Sequence, residues 1–305
     1  MTPEPGRGRP VPGRRAANWS VLGAAALWGT IGTAQELGAP TAAPASVAAV
    51  RSLGGGLVLI SVLVVVGGWP RLRAAVTGAP WAVAGAAVSI TVFQLGYLTG
   101  VRAVGVAIGT LVAIGSAPVW AGSFALLAGR RPGLRWVVAT VATVAGAAVL
   151  LVDGGAGEAG RGAGTAGIAA GLVAGAAYGA YTTVSVRLIA AGADGPSAVA
   201  LTFTGSGLLL LPVLLLGDPG WVATPAGLAT ASWLTIGTTA LGYLLFARGL
   251  AALDAPTVTT LTLAEPLAAT ILAVVVVGER LSPTGWSGAG LLIVGLVVVA
   301  AGRGS

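Results

Sequence analysis

One acidic residue, Glu265, lies deep within an apolar run of membrane length, residues 255–278. It is about ten residues, or roughly 15 Å of helix, from the nearer end of the run and so near the bilayer midplane. An acid at the centre of a membrane helix costs about 3 kcal/mol and persists only where it faces protein, water or a ligand. Pro266 follows directly and frees a backbone carbonyl near the carboxylate. We therefore consider Glu265 a candidate for substrate binding and proton coupling; the structural alternative is a hydrogen bond from Thr262 or a neighbouring helix.

Arg51 is a second charged residue that falls within a predicted span. It lies about seven residues into the second helix, roughly 10 Å from the outer end of that helix. From this depth a guanidinium group can extend outward to the membrane surface. Alternatively, it faces the helix bundle, as a counter-charge for a substrate carboxylate or as a donor to backbone carbonyls.

Aromatic and amide side chains recur at helical spacing on other predicted spans. Tyr178 and Tyr181 lie three residues apart on one face of the sixth, and Gln94 and Tyr97 are spaced alike on the third. Hydrogen bonds between helices, worth about 0.6 kcal/mol each on average, would account for such faces. The alternative is a central cavity for a small amphipathic organic solute. The candidate substrate-binding residues are Trp28, Arg51, Gln94, Tyr97, Tyr178, Tyr181, Tyr243 and Glu265.

The composition indicates a polytopic membrane protein. The chain has 305 residues, of which 56% are hydrophobic and 8% are charged, and its mean hydropathy is +0.94. Cysteine and histidine are both absent, which excludes thiol chemistry, the usual zinc sites and histidine bases. We therefore predict no enzyme activity, no metal and no cofactor. A Walker A glycine-lysine motif is also absent, which excludes ATP as the direct energy source.

Ten apolar runs are long enough to span a membrane. They are residues 17–35, 44–66, 79–100, 104–128, 134–152, 165–190, 197–216, 226–249, 255–277 and 284–301. We predict an all-α integral membrane fold of ten transmembrane helices. Residues 1–16 and 302–305 would form cytosolic tails, the first of them disordered, 17–152 and 165–301 two five-helix repeats, and 153–164 an external linker. A signal peptide is the competing interpretation of the first run, but no clear cleavage site follows it.

The arginines predict the orientation of these spans. With both termini inside, the cytosolic segments hold twelve arginines: Arg7, Arg9, Arg14, Arg15, Arg71, Arg73, Arg130, Arg131, Arg135, Arg187, Arg248 and Arg303. The external segments hold three: Arg102, Arg161 and Arg280. This positive-inside bias predicts that both termini lie in the cytosol. Membrane insertion accounts for the formal charge of +7, so a nucleic-acid partner is not required.

The two halves of the chain carry related segments. Residues 95–98 and 241–244 both read LGYL, and Pro118 falls opposite Pro266. Because each repeat has an odd number of spans, the halves would lie in opposite orientations, as in many secondary transporters. The paired prolines, in the fourth helix of each half, indicate where a transport site would lie.

The sixth span also carries a regular row of glycines, Gly167, Gly171, Gly175 and Gly179. Residues four apart lie along one ridge of a helix. Small residues on such a ridge let membrane helices approach closely, so we predict a helix-packing surface.

The chain resembles the drug/metabolite transporter superfamily, and within it the ten-helix metabolite exporters with two EamA domains. The motifs that carry the resemblance are Trp28-Gly29, Arg51, Glu265-Pro266 and Gly278-Glu279-Arg280-Leu281, followed by Trp286, Gly288 and Gly295. The likeness covers nearly the whole chain after residue 17. One departure is Gly129-Arg130-Arg131, which stands where the first half of the family often has a Gly-Glu-Arg turn.

This resemblance implies a secondary transporter in the plasma membrane that exports a small organic metabolite or drug by alternating access, with proton or solute exchange as the driving force. The rival interpretation is a channel or a structural membrane partner without coupled transport.

Overall fold

The computed structural model describes residues 13–104, 106–153, 164–277 and 280–301, and all regular elements within these ranges are helical. The predicted external linker, apart from its two end residues, lies outside the described residues, as do most of the N-terminal tail and all of the C-terminal one. Gly278-Glu279, from the motif after the ninth predicted span, also lies outside them.

Fourteen α-helices are described. The first half contains α1 (Arg14–Gly38), α2 (Pro44–Val65), α3 (Trp69–Gly78), α4 (Pro80–Val104), α5 (Val106–Leu127) and α6 (Leu134–Asp153). The second half contains α7 (Gly164–Ala190), α8 (Gly195–Leu209), α9 (Leu211–Leu216), α10 (Pro225–Ser232), α11 (Gly242–Leu250), α12 (Ala255–Leu261), α13 (Ala264–Leu272) and α14 (Pro283–Ala301). A π-helical segment, Trp233–Leu241, joins α10 to α11, and a second one, Ala273–Val277, continues α13.

Seven helices in the described ranges are long and apolar enough to cross a membrane. They correspond to α2, α4, α5, α7, the continuous run α10–α11, the run α12–α13 and α14. The chain is therefore a helical, multi-pass membrane protein. Helix α1 begins at Arg14, three residues before the predicted start, because a helix can extend beyond its apolar part into the membrane surface, where an arginine is solvated.

Helix α3 was not predicted from the sequence. It has ten residues between α2 and α4, and it follows a turn in which Gly67 has a φ of 72°. Proline near its start suits the first turn of a helix, where the missing N–H has no partner to lose. Leu72 and Ala75, one helical turn apart, are buried against the rest of the protein. A helix this short gives no membrane-length signal in the sequence.

The prolines at 118 and 266 have different effects on their helices. Pro118 lies inside the uninterrupted helix α5, whereas the chain breaks between α12 and α13 just before Pro266. In a regular helix the carbonyl of Thr262 would accept from the nitrogen of residue 266, which in proline has no hydrogen. That carbonyl instead accepts from the N–H of Glu265 at 3.0 Å, in a tighter turn. Glu265 therefore lies in the first turn of a half-helix.

The two halves pack on each other through reciprocal contacts at glycines. Gly56 of α2 packs on α8, and Gly207 of α8 packs on α2; Gly146 of α6 packs on α14, and Gly295 of α14 packs on α6. A methyl group added at any of the four would collide with the backbone of the partner helix. Exchanging the halves exchanges these contacts, so an approximate two-fold relation holds for these helix pairs.

Candidate functional site

A cluster of buried aromatic rings occupies the centre of the helix bundle. Trp28 of α1 lies with its ring centroid 4.6 Å from that of Tyr243 and 5.5 Å from that of Phe246. Phe203 of α8 lies 4.2 Å from Tyr243, and Tyr181 of α7 stacks on Phe246 at 5.9 Å. All five side chains are buried. The cluster therefore joins helices of both halves.

A second group of rings, centred on α4 and α7, extends the cluster. Phe93 lies 5.1 Å from Tyr178 and 5.9 Å from Tyr97. The hydroxyls of Tyr97 and Thr110 are 3.0 Å apart, within hydrogen-bonding distance. Tyr178 in turn contacts both Tyr181 and Phe246. All four tyrosines of the chain thus belong to this cluster.

The indole of Trp28 connects α1 to the π-helical segment. Its Nε1 donates a hydrogen bond to the carbonyl of Thr238 at 2.9 Å. Gly242 gives the indole room, because a methyl group at that position would lie 2.8 Å from Nε1. The only polar atom of Trp28 is therefore bonded to backbone, which leaves its ring face and edge for other contacts.

Arg51 and Glu265 interact electrostatically without touching. Within the described chain no ion pair shorter than 4.0 Å joins them, although each lies in the electrostatic field of the other. The Nε of Arg51 is buried and has no hydrogen-bond partner. The Glu265 side chain is partly exposed, and its carboxylate accepts no hydrogen bond from a described residue. Both charges thus retain hydrogen-bonding capacity that the protein does not use.

The hydroxyl of Tyr178 is a second buried polar atom without a partner. It lies near the hydroxyl of Thr262, but that hydroxyl donates to the carbonyl of Thr259 at 2.8 Å. The alternative in which the Thr262 hydroxyl donates a hydrogen bond to the Glu265 carboxylate is therefore wrong. The hydroxyl of Tyr178 and the Nε of Arg51, on helices of different halves, have no hydrogen-bond partner, and both side chains interact electrostatically with Glu265.

Gln94 has a different environment from the other predicted site residues. Its amide nitrogen donates to the hydroxyls of Ser52 at 3.0 Å and Ser206 at 3.3 Å, and Ser206 also accepts from Thr91 at 2.9 Å. All four side chains are buried. Gln94 therefore joins α2, α4 and α8, as the interhelical interpretation predicts, and a role in substrate binding is a separate hypothesis.

Glu265 has no acidic counterpart in the first half. Gly29 of α1 packs closely on Glu265 and Ala268, while Gly179 of α7 packs on Ala117 and Trp120. These contacts place Ala117 where the second half has Glu265. The paired prolines therefore mark equivalent positions, but only one of them adjoins an acid.

The structure brings seven predicted residues into one region: Trp28, Arg51, Tyr97, Tyr178, Tyr181, Tyr243 and Glu265. The sequence did not indicate that Phe93, Phe203 and Phe246 join them. The spacing of Phe246, three residues after Tyr243, and of Phe93, four before Tyr97, could have shown two of these. The described residues contain no group of three acids that could hold a metal.

Comparisons with known proteins give consistent results. The model of the EamA-like transporter family matches residues 15–152 and 165–301. The uncharacterized transporter YwfM of Bacillus subtilis (strain 168) is 38% identical over 286 residues, which cover 92% of this chain and 92% of that protein. A protein of known crystal structure has the same fold, with a TM-score of 0.80 and 22% identity, over 94% of this chain and 96% of the other.

Proposed function

Because the chain belongs to the EamA-like transporter family, we propose that it is a secondary transporter that moves small organic metabolites or drugs out of the cell by alternating access. In this proposal ten helical segments cross the membrane as two inverted five-helix repeats, residues 17–152 and 165–301. The protein lies in the plasma membrane with both termini in the cytosol. The reciprocal glycine contacts and the arginine distribution support these two points.

The observation that carries the proposal is the set of unused polar groups at the broken helix. Glu265 lies beside the break between α12 and α13 and interacts electrostatically with Arg51 and Tyr178, each of which has a buried polar atom without a partner. Tyr178 also belongs to the buried aromatic cluster. Buried polar groups without partners are costly unless something else satisfies them. A bound polar solute would satisfy them, and the aromatic rings would contact its apolar part.

We assign substrate contacts to Trp28, Arg51, Tyr97, Tyr178, Tyr181, Tyr243 and Glu265, with Gln94 as a less direct candidate. Solute entry from one side and exit to the other would require rearrangement around the break at residues 262–263. Half-helices that end near the bilayer midplane are a common location for substrate and ion sites in transporters.

The primary test is ligand-dependent thermal stabilisation of the purified protein. A panel of amino acids, nucleobases, sugars and cationic drugs is screened, and a solute that binds the folded state raises the apparent melting temperature. The stabilising solute is then used for transport into proteoliposomes. We expect Tyr178→Phe, which removes only the unpartnered hydroxyl, to weaken stabilisation by that solute. Free passage of the solute with no saturation would instead indicate a channel.

Glu265 is our candidate for coupling transport to protons. Of the helices packed against α13, only α1 and α6 carry titratable residues in their described parts. Those residues lie near the ends of the two helices. The groups that interact electrostatically with Glu265 are Arg51, Tyr97, Tyr178 and Tyr243. The substitution Glu265→Gln keeps the size and shape of the side chain and removes its titratable carboxyl group. If the variant still accumulates substrate in response to a pH gradient, Glu265 is not the coupling group; retained exchange with loss of pH-driven accumulation supports the role.

A further inference from the structure

Helix α3 lies where the apolar surface of the protein meets water. It connects the end of α2 to the start of α4, two helices of membrane length, so it lies at one membrane surface. Val65 at the end of α2 is 85% exposed, Trp69 at the start of α3 is 62% exposed and Trp81 at the start of α4 is 89% exposed. These exposed side chains continue the apolar surface of the spans, and tryptophan is enriched at membrane interfaces.

Helix α3 has a buried face, an exposed apolar edge beside it and an arginine next to that edge. At about 100° per residue, Leu72 and Ala75 face the protein, as their burial shows. Val76, which is exposed, lies beside them on the same edge as Trp69. Arg73 comes next around the axis and is also exposed. An apolar edge followed by an arginine is the order expected for a helix lying in the plane of an interface.

Arg73 has no acidic partner among the described residues. Its neighbour Arg71 forms an ion pair with Asp194 at 3.1 Å, whereas Arg73 makes no ion pair or side-chain hydrogen bond with a described residue. Helix α3 itself contains two arginines and no acid. The corresponding linker of the second half, a 3₁₀ turn at Gly220–Ala223, has no basic residue.

From these observations we propose that α3 is an interfacial helix that binds the headgroup of an anionic lipid through Arg73. Trp69 and Val76 enter the boundary between headgroups and acyl chains, and the guanidinium lies at the level of the lipid phosphates. The inference does not depend on the proposed transport function.

The test compares lipid-dependent stabilisation of three proteins in a neutral detergent. Wild type, Arg73→Gln and Arg131→Gln are titrated with phosphatidylglycerol or with phosphatidylcholine, and unfolding is followed by tryptophan fluorescence. Arg131 is a matched control, since it is exposed in the turn between α5 and α6. We expect phosphatidylglycerol to stabilise wild type more than phosphatidylcholine does, and Arg73→Gln to require about fivefold more of it. Arg73→Lys should retain most of the effect, which shows that the charge is responsible.

Three results would overturn the proposal. They are equal stabilisation by the two lipids, an unchanged response in Arg73→Gln, and an equal loss in Arg131→Gln. The position of the helix is checked separately, because the chain has no cysteine. A spin label at Val76→Cys should be accessible to oxygen dissolved in the membrane, and one at Thr77→Cys to a water-soluble reagent. Water exposure at both positions, with cross-linking between copies through Val76→Cys, would make this face a protein interface instead.

Discussion

Substitution of Gly29 by alanine tests the close contact between α1 and α13. The added methyl group would lie 2.7 Å from the Cβ of Ala268 and 2.9 Å from both the carbonyl oxygen of Glu265 and the nitrogen of Ala269. Carbon atoms in good contact are about 3.5–4.0 Å apart. The two helices must therefore separate by about 1 Å, or the half-helix that carries Glu265 must shift.

The size of the effect follows from two opposing contributions. Replacing glycine by alanine within a helix contributes about 0.8–1.0 kcal/mol of stability through propensity. Overpacking of a close contact typically costs about 1–3 kcal/mol. Gly32→Ala in the same helix serves as the control, because a methyl group there meets nothing within 4 Å. We therefore expect Gly29→Ala to be about 1–3 kcal/mol less stable than Gly32→Ala, and Gly179→Ala, whose nearest neighbour is at 3.1 Å, to fall between them.

The free energy of unfolding is measured by titrating the purified proteins from a mild detergent into sodium dodecyl sulfate, with tryptophan fluorescence as the signal. Transport is measured on the same preparations, since displacement of α13 would also move Glu265. If Gly29→Ala is as stable as Gly32→Ala, the packing of α1 against α13 differs from that described. The equivalence of Glu265 with Ala117, which was inferred from that packing, then also fails.

Three further predictions concern orientation, capping and the central cluster. Cysteine at Gly133 should be protected from an impermeant reagent applied outside intact cells and cysteine at Thr41 should be labelled; labelling at Gly133 alone would reverse the orientation. Asp254→Ala should lower the free energy of unfolding by about 0.5–2 kcal/mol, because the carboxylate accepts from the N–H of Thr257 at 3.0 Å, while Asp254→Asn should retain most of that stability. Trp28→Phe, which loses the hydrogen bond but keeps a ring, should lower the free energy of unfolding by about 0.6 kcal/mol, and Trp28→Ala should lower it clearly more. Equal losses for the two variants in denaturation experiments would mean that the ring contacts contribute nothing.

Features set by periodicity along a single helix could be predicted from the sequence. Helix α2 spans Pro44–Val65, against a predicted 44–66. The glycine row of α7 is a packing surface, as predicted, and its partner is α5: Gly171 contacts Val112 and Gly175 contacts Ser116. In both cases residue size and spacing determine the result, whichever helix is the partner.

Features that depend on the partner of a side chain could not be predicted. Trp28 and Gln94 were both selected as polar groups facing a shared interior. In the structure the Trp28 indole donates a hydrogen bond to a backbone carbonyl. The Gln94 amide nitrogen donates hydrogen bonds to the hydroxyls of two serines on other helices. Pro118 and Pro266 occupy equivalent positions, yet only Pro266 coincides with a break in its helix. One sequence without its packing does not distinguish these outcomes.

The hydrogen bond from Glu265 N–H to the Thr262 carbonyl has a mechanical consequence. Because Pro266 offers no hydrogen to that carbonyl, the regular bond from residue 266 to residue 262 is missing, as the corresponding bond must be at Pro118 of α5. The equivalent helix α5 runs without interruption. The same loss of one hydrogen bond is therefore accommodated within a continuous helix in the first half and as a break beside the acid in the second, so we expect bending of the second half to concentrate at residues 262–263.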